Sequence, residues 1–456
     1  TPTPRQSSGF GGRADELSPL RSLQGVRNEA RPYQPIPRIF GRVLGYTPPR
    51  GTEYYTELSR GTSDQYLRVV FVIGEGPLKI STLRIGDTPT ANFEDITVRI
   101  REGYSTDPDL TLYPAQVREQ ALNIELKQVN GYSQRRSEVS TDEMSFDIVF
   151  PNGLQTITGR GRKYQLQVQF HVQYKAAASS VWLNADISDD RVSVIKDGGG
   201  YFTIRANSKQ AIRRTIRIEV PERGQYDLRV KRVTQDDQSD NEGQDQTVTT
   251  EQAFWTAFRS YRNDPPFNAA NLATVEIRVR ATDQLNGVID QFNCTVQAVL
   301  PVWNGSAWVE QETRSPAWAF AEVLRGRSNA RPVADSRIDL DALMAWADSA
   351  DELGLTFDGA LIDSGVSVWD RLTDIAATAN AVPAMPNGIY TVVVDEPKTT
   401  VVQHFTARNM TAVRGEKSLA ARPHALRVRW PDERARGQWS ERIIYRTGYD
   451  ATTASR

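Results

Sequence analysis

Between residues 164 and 174 the chain alternates without a break. Leu166, Val168, Phe170, Val172 and Tyr174 fall on one side of a two-residue period, and Gln165, Gln167, Gln169, His171 and Gln173 on the other. Only an extended strand returns side chains to one face every second residue, so this segment is not an amphipathic helix. A strand with one apolar face must cover that face, which commits its neighbourhood to a packed sheet. Residues 192–195, 201–204, 215–220, 226–233, 275–279 and 292–300 are also β-branched or aromatic and read as strands. Gly198-Gly199-Gly200 suits a tight hairpin. Residues 162–300 therefore read as a β-sandwich, with the acidic segment 235–246 as a mobile loop. On this reading His171 sits on the wet face, solvated.

The flanking regions differ. Residues 1–36 are rich in Pro, Gly, Ser and Arg without periodicity, and read as an arm that neighbouring subunits would hold. Residues 37–103 carry strand runs at 37–43, 65–73, 83–86 and 96–100, broken by Pro48-Pro49-Arg50-Gly51 and Gly74-Glu75-Gly76-Pro77. Residues 146–150 alternate again before the turn signal Pro151-Asn152-Gly153, and Trp303-Asn304-Gly305-Ser306-Ala307-Trp308 reads as an Asn-Gly hairpin. Past residue 313 the period changes. Ser315-Pro316 opens a helix with Ser at N-cap and Pro at N1. Asp339 caps a second, where Leu340, Leu343, Met344, Ala347 and Ala350 form an apolar stripe. Ser367 caps a third, with Trp369, Leu372, Ile375, Ala376 and Ala379 expected inward. Residues 383–388 then demand a turn, and strands are expected at 389–394, 401–405, 425–430 and 441–445.

Composition excludes several classes. With 55 Lys and Arg against 56 Asp and Glu, the net charge is −1, which gives no overall bias toward nucleic acid or a membrane surface. The single cysteine, Cys294, excludes an intrachain disulfide framework; it lies in an apolar run and reads as a small core residue. No apolar run approaches the ~18 residues that span a bilayer. A chain beginning at Thr1, without a signal peptide, is expected to be a segment of a longer polypeptide.

Chemical signatures are sparse. His171, His404 and His424 stand far apart, with no HxxxH or CxxC spacing, so no metal site is expected. There is no GxSxG elbow, and neither Gly74-Glu75-Gly76 nor Gly159-Arg160-Gly161-Arg162 is a nucleotide loop. No catalytic residue and no cofactor follow. The carboxylate pairs Asp189-Asp190, Asp236-Asp237 and Asp351-Glu352 read as solvated loop charge. Basic clusters at Arg135-Arg136, 160–163, Arg213-Arg214 and 229–232 read as interface faces rather than DNA contacts, and Trp303, Trp308, Trp318 and Trp346 as packing rather than a sugar platform.

The helical block carries a family pattern. Trp318-Ala319, then Asp341-Ala342-Leu343-Met344-Ala345-Trp346-Ala347, then Trp369 through Ile375 with Pro383, Gly388 and Asp395, resemble the central region of phage tail-tip proteins of the tip attachment protein J family. Tyr226-Asp227-Leu228-Arg229-Val230-Lys231-Arg232 is similar to a family strand, and Glu75-Gly76-Pro77-Leu78 to a family turn. The family's cysteines and its loop after the first helix are missing, so residues 325–336 inherit no role.

The resemblance implies a mainly β, multidomain chain: an arm at 1–36, a β-rich hub domain at 37–150, a sandwich at 151–312, and an α+β hub domain at 313–456 with helices before a β-meander. It implies a structural protein of the virion, at the distal end of the tail, and not an enzyme. A homotrimeric ring would close the tail tube and contact the distal tail protein, the tape measure protein, and tail fibre or receptor-binding proteins. The host receptor would be met through parts outside this segment, and passing DNA only non-specifically. Arg5, Arg13, Arg38, Phe40, Tyr66, Phe71 and Trp346 are the expected assembly residues. The competing class is a carbohydrate-active hydrolase or glycan-binding sandwich, which would need a carboxylate pair clustered in a cleft.

Overall fold

A computed structural model describes residues 23–454, except 52–53, 59–63, 114, 188–193, 237–247, 265–268, 363–364, 398–400, 402, 413, 415–422 and 433–437. Arg5, Arg13, Asp189-Asp190 and most of the 235–246 loop lie outside the described residues.

Strands dominate, as the two-residue periods require, and they gather into two bodies. In the first body, one antiparallel sheet runs Tyr55–Leu58, Gln65–Glu75, Leu272–Arg280, Ile96–Arg101. A second runs Trp308–Glu312, Phe292–Trp303, Leu78–Ile85, Thr88–Pro89, with Arg42–Tyr46 also paired to Phe292–Trp303. Phe71 of one sheet stacks on Phe292 of the other at 4.5 Å between ring centroids. Helices α1 (Pro316–Arg325), α2 (Leu340–Leu353) and α3 (Val368–Ala377) add Phe320, Leu343, Trp346, Leu372 and Ile375 to the same core. Burying each such side chain contributes about 1.5–3 kcal/mol.

The second body is an insertion. Ile96–Arg101 and Leu272–Arg280 are neighbours, with Ile100 opposite Val275 and Val98 opposite Ile277, so the chain leaves this sheet after the first strand and rejoins it at the second. Between them, Ile212–Gly224, Thr141–Phe150, Phe254–Arg262 and Gln116–Glu125 form one sheet. Ser133–Arg136, Tyr226–Arg232, Leu166–Ala176, Tyr201–Ala206 and Ile195–Gly198 form its partner. Phe146, Phe150, Phe170, Phe202, Trp255 and Phe258 fill the space between them. The alternation at 164–174 behaves as expected on its apolar side: Val168, Phe170 and Val172 are fully buried.

Pairing regroups residues that the sequence reading divided at 150/151 and 312/313. The strands from Gln116 to Phe150 pair inside the sandwich, and those from Leu272 to Glu312 pair back in the first body. Alternation identifies a strand and its buried face; it carries no information about which sheet a strand joins.

The helix signals match closely. Asp339 Oδ1 accepts from the Ala342 amide at 3.1 Å, and Ser367 Oγ from the Asp370 amide at 3.1 Å. Ser315 stands at its N-cap with Pro316 at N1, but its hydroxyl makes no cap bond and is buried without a partner among the described residues. Trp369, expected inward, is exposed, while Leu372, Ile375, Ala376 and Ala379 are buried. Residues 401–405 form no strand among the described residues, and the strand expected at 389–394 begins at Thr391. The C-terminal strands are Ala425–Asp432 and Gln438–Tyr445, which among the described residues pair only with each other.

Candidate functional site: the buried junction between the two bodies

The sheet of Thr141–Phe150 is apolar on one face and polar on the other, and both are covered. Met144, Phe146, Ile148 and Phe150 point into the sandwich. Glu143, Ser145 and Asp147 on the opposite face are buried too, at the contact with the first body. Buried charge is stable only when paired and hydrogen-bonded, and here it is both. Arg259 is fully buried, and its Nη1 and Nη2 donate to the two oxygens of Asp147 at 2.9 and 2.6 Å. Its Nε donates to Glu119 at 2.6 Å, and Nη2 also reaches the Thr56 hydroxyl at 3.0 Å. Thr56 lies on an edge strand of the first body and, through its amide and hydroxyl, donates to Glu119 at 3.2 and 3.0 Å. One guanidinium thus joins three strands across both bodies. Burial opposes its charge, but the Asp147 and Glu119 carboxylates overcome that and raise its pKa well above the ordinary value.

Aromatic rings surround the ionic group. Tyr55 meets Tyr113 edge-on at 5.3 Å and Tyr261 at 6.2 Å, all three buried. Burial, with the nearby Glu57 charge, raises the Tyr55 pKa well above the usual phenol range. The Tyr261 hydroxyl lies 3.1 Å from Ser145 Oγ, and Arg217, paired with Glu143, sits over the Tyr261 ring at 4.9 Å.

The segment leading into the insertion is held at its start. Buried Glu276, on the first-body strand Leu272–Arg280, accepts the successive amides of Thr111, Leu112 and Tyr113 at 3.1, 3.1 and 3.0 Å. Arg68 donates to the Leu112 carbonyl at 2.8 Å and to Glu57 at 2.7 Å. The turn Gly74-Glu75-Gly76-Pro77 packs on the same place: a Cβ on Gly76 would lie 2.6 Å from Gly103 Cα, so only glycine permits the approach.

A cleft of about 630 Å³ opens beside the junction, lined by Arg50, Tyr54, Thr56, Gln65, Glu119 and Arg213 among others. Its carboxylates, Glu119 and Asp147, are the ones committed to Arg259, which suits support rather than acid–base chemistry.

The expected assembly residues are scattered. Phe40, Phe71 and Trp346 are buried in the first core, and the Trp346 indole donates to the Ala379 carbonyl at 2.9 Å. That burial sets Trp346, expected among the assembly residues, inside the core instead. An aromatic on an amphipathic helix stripe is core first. Arg38 is also buried; it donates to Glu322 at 2.5 Å and to the Gly76 carbonyl at 3.4 Å. Tyr66 is half-buried beneath the Arg278 guanidinium at 3.8 Å. Residues 325–336, which inherited no role, brace the turn Gly74-Glu75-Gly76-Pro77 and the Trp hairpin. Arg327 donates to the Gly76 carbonyl at 3.0 Å, and Arg325 lies over Trp308 at 3.9 Å. Trp303 and Trp308 face each other across the expected hairpin.

His171 is a further correction. It is 5% exposed, stacked on Tyr201 at 4.0 Å, and bonded to the Tyr132 hydroxyl at 2.7 Å and to Asn184 at 3.2 Å. A polar strand face is dry where long neighbours close over it. No signal in the sequence pointed to the Arg259 junction, because its members lie on separate strands.

Residues 116–264 match the family model described as the FNIII-A domain of tip attachment protein J. The match spans the inserted sandwich from its first strand to just past Phe254–Arg262. No curated protein matches the chain. Two solved structures are weakly similar. One is of T=1 particles derived from infectious bursal virus, at 8% identity over 58% of this chain and 76% of that one, with a TM-score of 0.14. The other is of the T13 IBDV viral particle, at 6% identity over 59% and 79%, also with a TM-score of 0.14. At that score the likeness carries no argument.

Proposed function

We propose that this chain, a phage tail-tip protein of the tip attachment protein J type by the domain at residues 116–264, is the hub subunit that closes the distal end of the tail tube. As a J-type protein it is a structural component of the virion tail. In the proposed role, three copies form a ring beneath the distal tail protein, enclose the end of the tape measure protein, and carry fibres or receptor-binding parts outside. Receptor engagement opens the ring and releases tape measure and DNA, which requires contacts that differ between the closed and open states.

The observation that carries this reading is how the FNIII-A sandwich is mounted. It is inserted between two neighbouring strands of the first body and clamped there by Arg259, Asp147, Glu119 and Thr56. A domain mounted on a buried ionic junction moves with its base, whereas one on a flexible linker moves independently. Such a mount supports the transmission of a load applied outside to a ring at the tube.

Gold-labelled antibody against the inserted sandwich, applied to purified tails, tests the placement. Label at the distal tip is expected; label along the tube, or none, would sink the hub reading.

A further inference from the structure

Among the described residues, the ribbon Ala425–Asp432/Gln438–Tyr445 is a two-stranded sheet with both outer edges unpaired. Two strands alone are marginal in water, and a ribbon of this kind gains stability by acquiring a third strand or a packed face. Leu426 and Ile444 stand opposite each other, 59% and 53% exposed, and Trp439 is 69% exposed. The ribbon is also basic. Residues 423–446 hold six arginines against three acidic residues. Glu441 is shared between Arg427 and Arg429 at 3.3 and 3.8 Å, so one carboxylate faces two cations.

The complementary surface lies on the same chain. Residues 338–397 contain eleven acidic residues and a single basic one, Arg371. Asp341, Asp348 and Glu352 recur at seven and four residues, on one exposed face of α2. The strand pair Ala381–Ala384/Thr391–Val394 rests on this helical block and turns Val382 and Val393, a cross-strand pair, outward at 57% and 56% exposure. It too is, among the described residues, a two-stranded sheet with free edges.

We propose that the basic ribbon of one copy seats on the acidic α2/α3 block and the Val382–Val393 pair of a second copy. The proposal rests on the hub reading and names the surfaces that join its subunits. The two surfaces are unlike, so the contact is heterologous; repeated from copy to copy it closes a ring or extends without limit. Opposite charge orients the approach and rejects the ribbon's own kind. The exposed aliphatic pair Leu426 and Ile444 favours a protein surface over the phosphate backbone of nucleic acid, which offers it nothing to pack on.

Light scattering on the full chain, over a range of concentrations and salt, tests this. One variant reverses the ribbon (Arg427→Glu, Arg429→Glu, Arg442→Glu), a second reverses the helix face (Asp341→Lys, Asp348→Lys, Glu352→Lys), and a third combines them. All six side chains are exposed or border solvent, and an unchanged thermal melt confirms folding. Each single-face reversal should weaken association tenfold or more, high salt should do the same to the parent chain, and the combined variant should recover most of the loss. Association indifferent to both reversals overturns the ribbon contact and leaves a distal tip label untouched. A parent chain that stays monomeric, with a Leu426→Cys/Val393→Cys pair cross-linking within one chain, overturns it in favour of an internal fold-back. Loss of DNA binding in the ribbon variant without a change of mass overturns it in favour of nucleic acid.

Discussion

Arg259 and Asp147 meet through two parallel hydrogen bonds of 2.9 and 2.6 Å in a region closed to solvent. They lie diagonally across adjacent strands: Arg259 is paired with Ser145, and Asp147 with Ala257. The planar fork of arginine suits this geometry, because it satisfies a carboxylate with two donors and keeps Nε for Glu119. The polar face of a half-apolar sheet has thus become the mounting surface of the inserted sandwich.

Removing the cation should therefore be expensive. Arg259→Ala leaves buried Asp147 and half-buried Glu119 without their cation beside Thr56, and the expected loss is about 3–5 kcal/mol of unfolding free energy. Arg259→Lys keeps the charge without the fork and should fall between. Urea unfolding followed by tryptophan fluorescence measures both, and an Arg259→Ala cost below about 1 kcal/mol would show that the junction adds little.

Glu276 makes a second, separable prediction. Its carboxylate takes three successive amides, so Glu276→Ala leaves three donors unsatisfied near the start of the insertion. A loss of about 1–3 kcal/mol is expected. Hydrogen exchange at Thr111, Leu112 and Tyr113 should accelerate more than exchange in the sandwich core. Unchanged protection at those three amides would be the contrary result.

Much of the architecture was legible because it rests on local rules. The period of two placed Val168, Phe170 and Val172 inside, and the Asp339 and Ser367 caps marked two helix starts. What was not legible is long-range. Whether Thr141–Phe150 joins the first body or the sandwich depends on partners at Ile212–Gly224 and Phe254–Arg262. Asp147 alternates with Phe146 and Ile148, but alternation reports polarity, and polarity matches exposure only until a second body covers it. Trp346 and Phe71 were read as surface candidates for the converse reason: their size suits an interface, but a core takes the same residues.

The three helix starts should respond differently to one substitution. Asp339→Ala and Ser367→Ala each remove a bond to a first-turn amide and should cost about 1 kcal/mol. Ser315→Ala should be neutral or slightly stabilising, since the Ser315 hydroxyl is buried without a partner. Thermal melts of the three variants decide the matter. A Ser315→Ala loss as large as the other two would mean that its hydroxyl is bonded after all.

His171 should make the stability of the inserted sandwich depend on pH. Burial lowers its pKa below the ordinary value near 6.5, the charges of Lys231 and Arg229 act in the same direction, and the bond to Asn184 opposes them. Between the lowered pKa and the ordinary one, the unfolded chain binds a proton that the folded chain refuses. Stability therefore rises with pH through that window; it is complete above the ordinary histidine range and is lost as pH falls. The ring is held on both sides: Nδ1 lies 2.7 Å from the Tyr132 hydroxyl and Nε2 3.2 Å from Asn184 Oδ1, which also accepts from Gln173 at 2.9 Å. His171→Gln removes the titrating group, so between about pH 5 and 7 its unfolding free energy should change less with pH than that of the parent chain. Two parallel pH profiles, separated by a constant offset, would show that His171 is as free to charge in the fold as outside it.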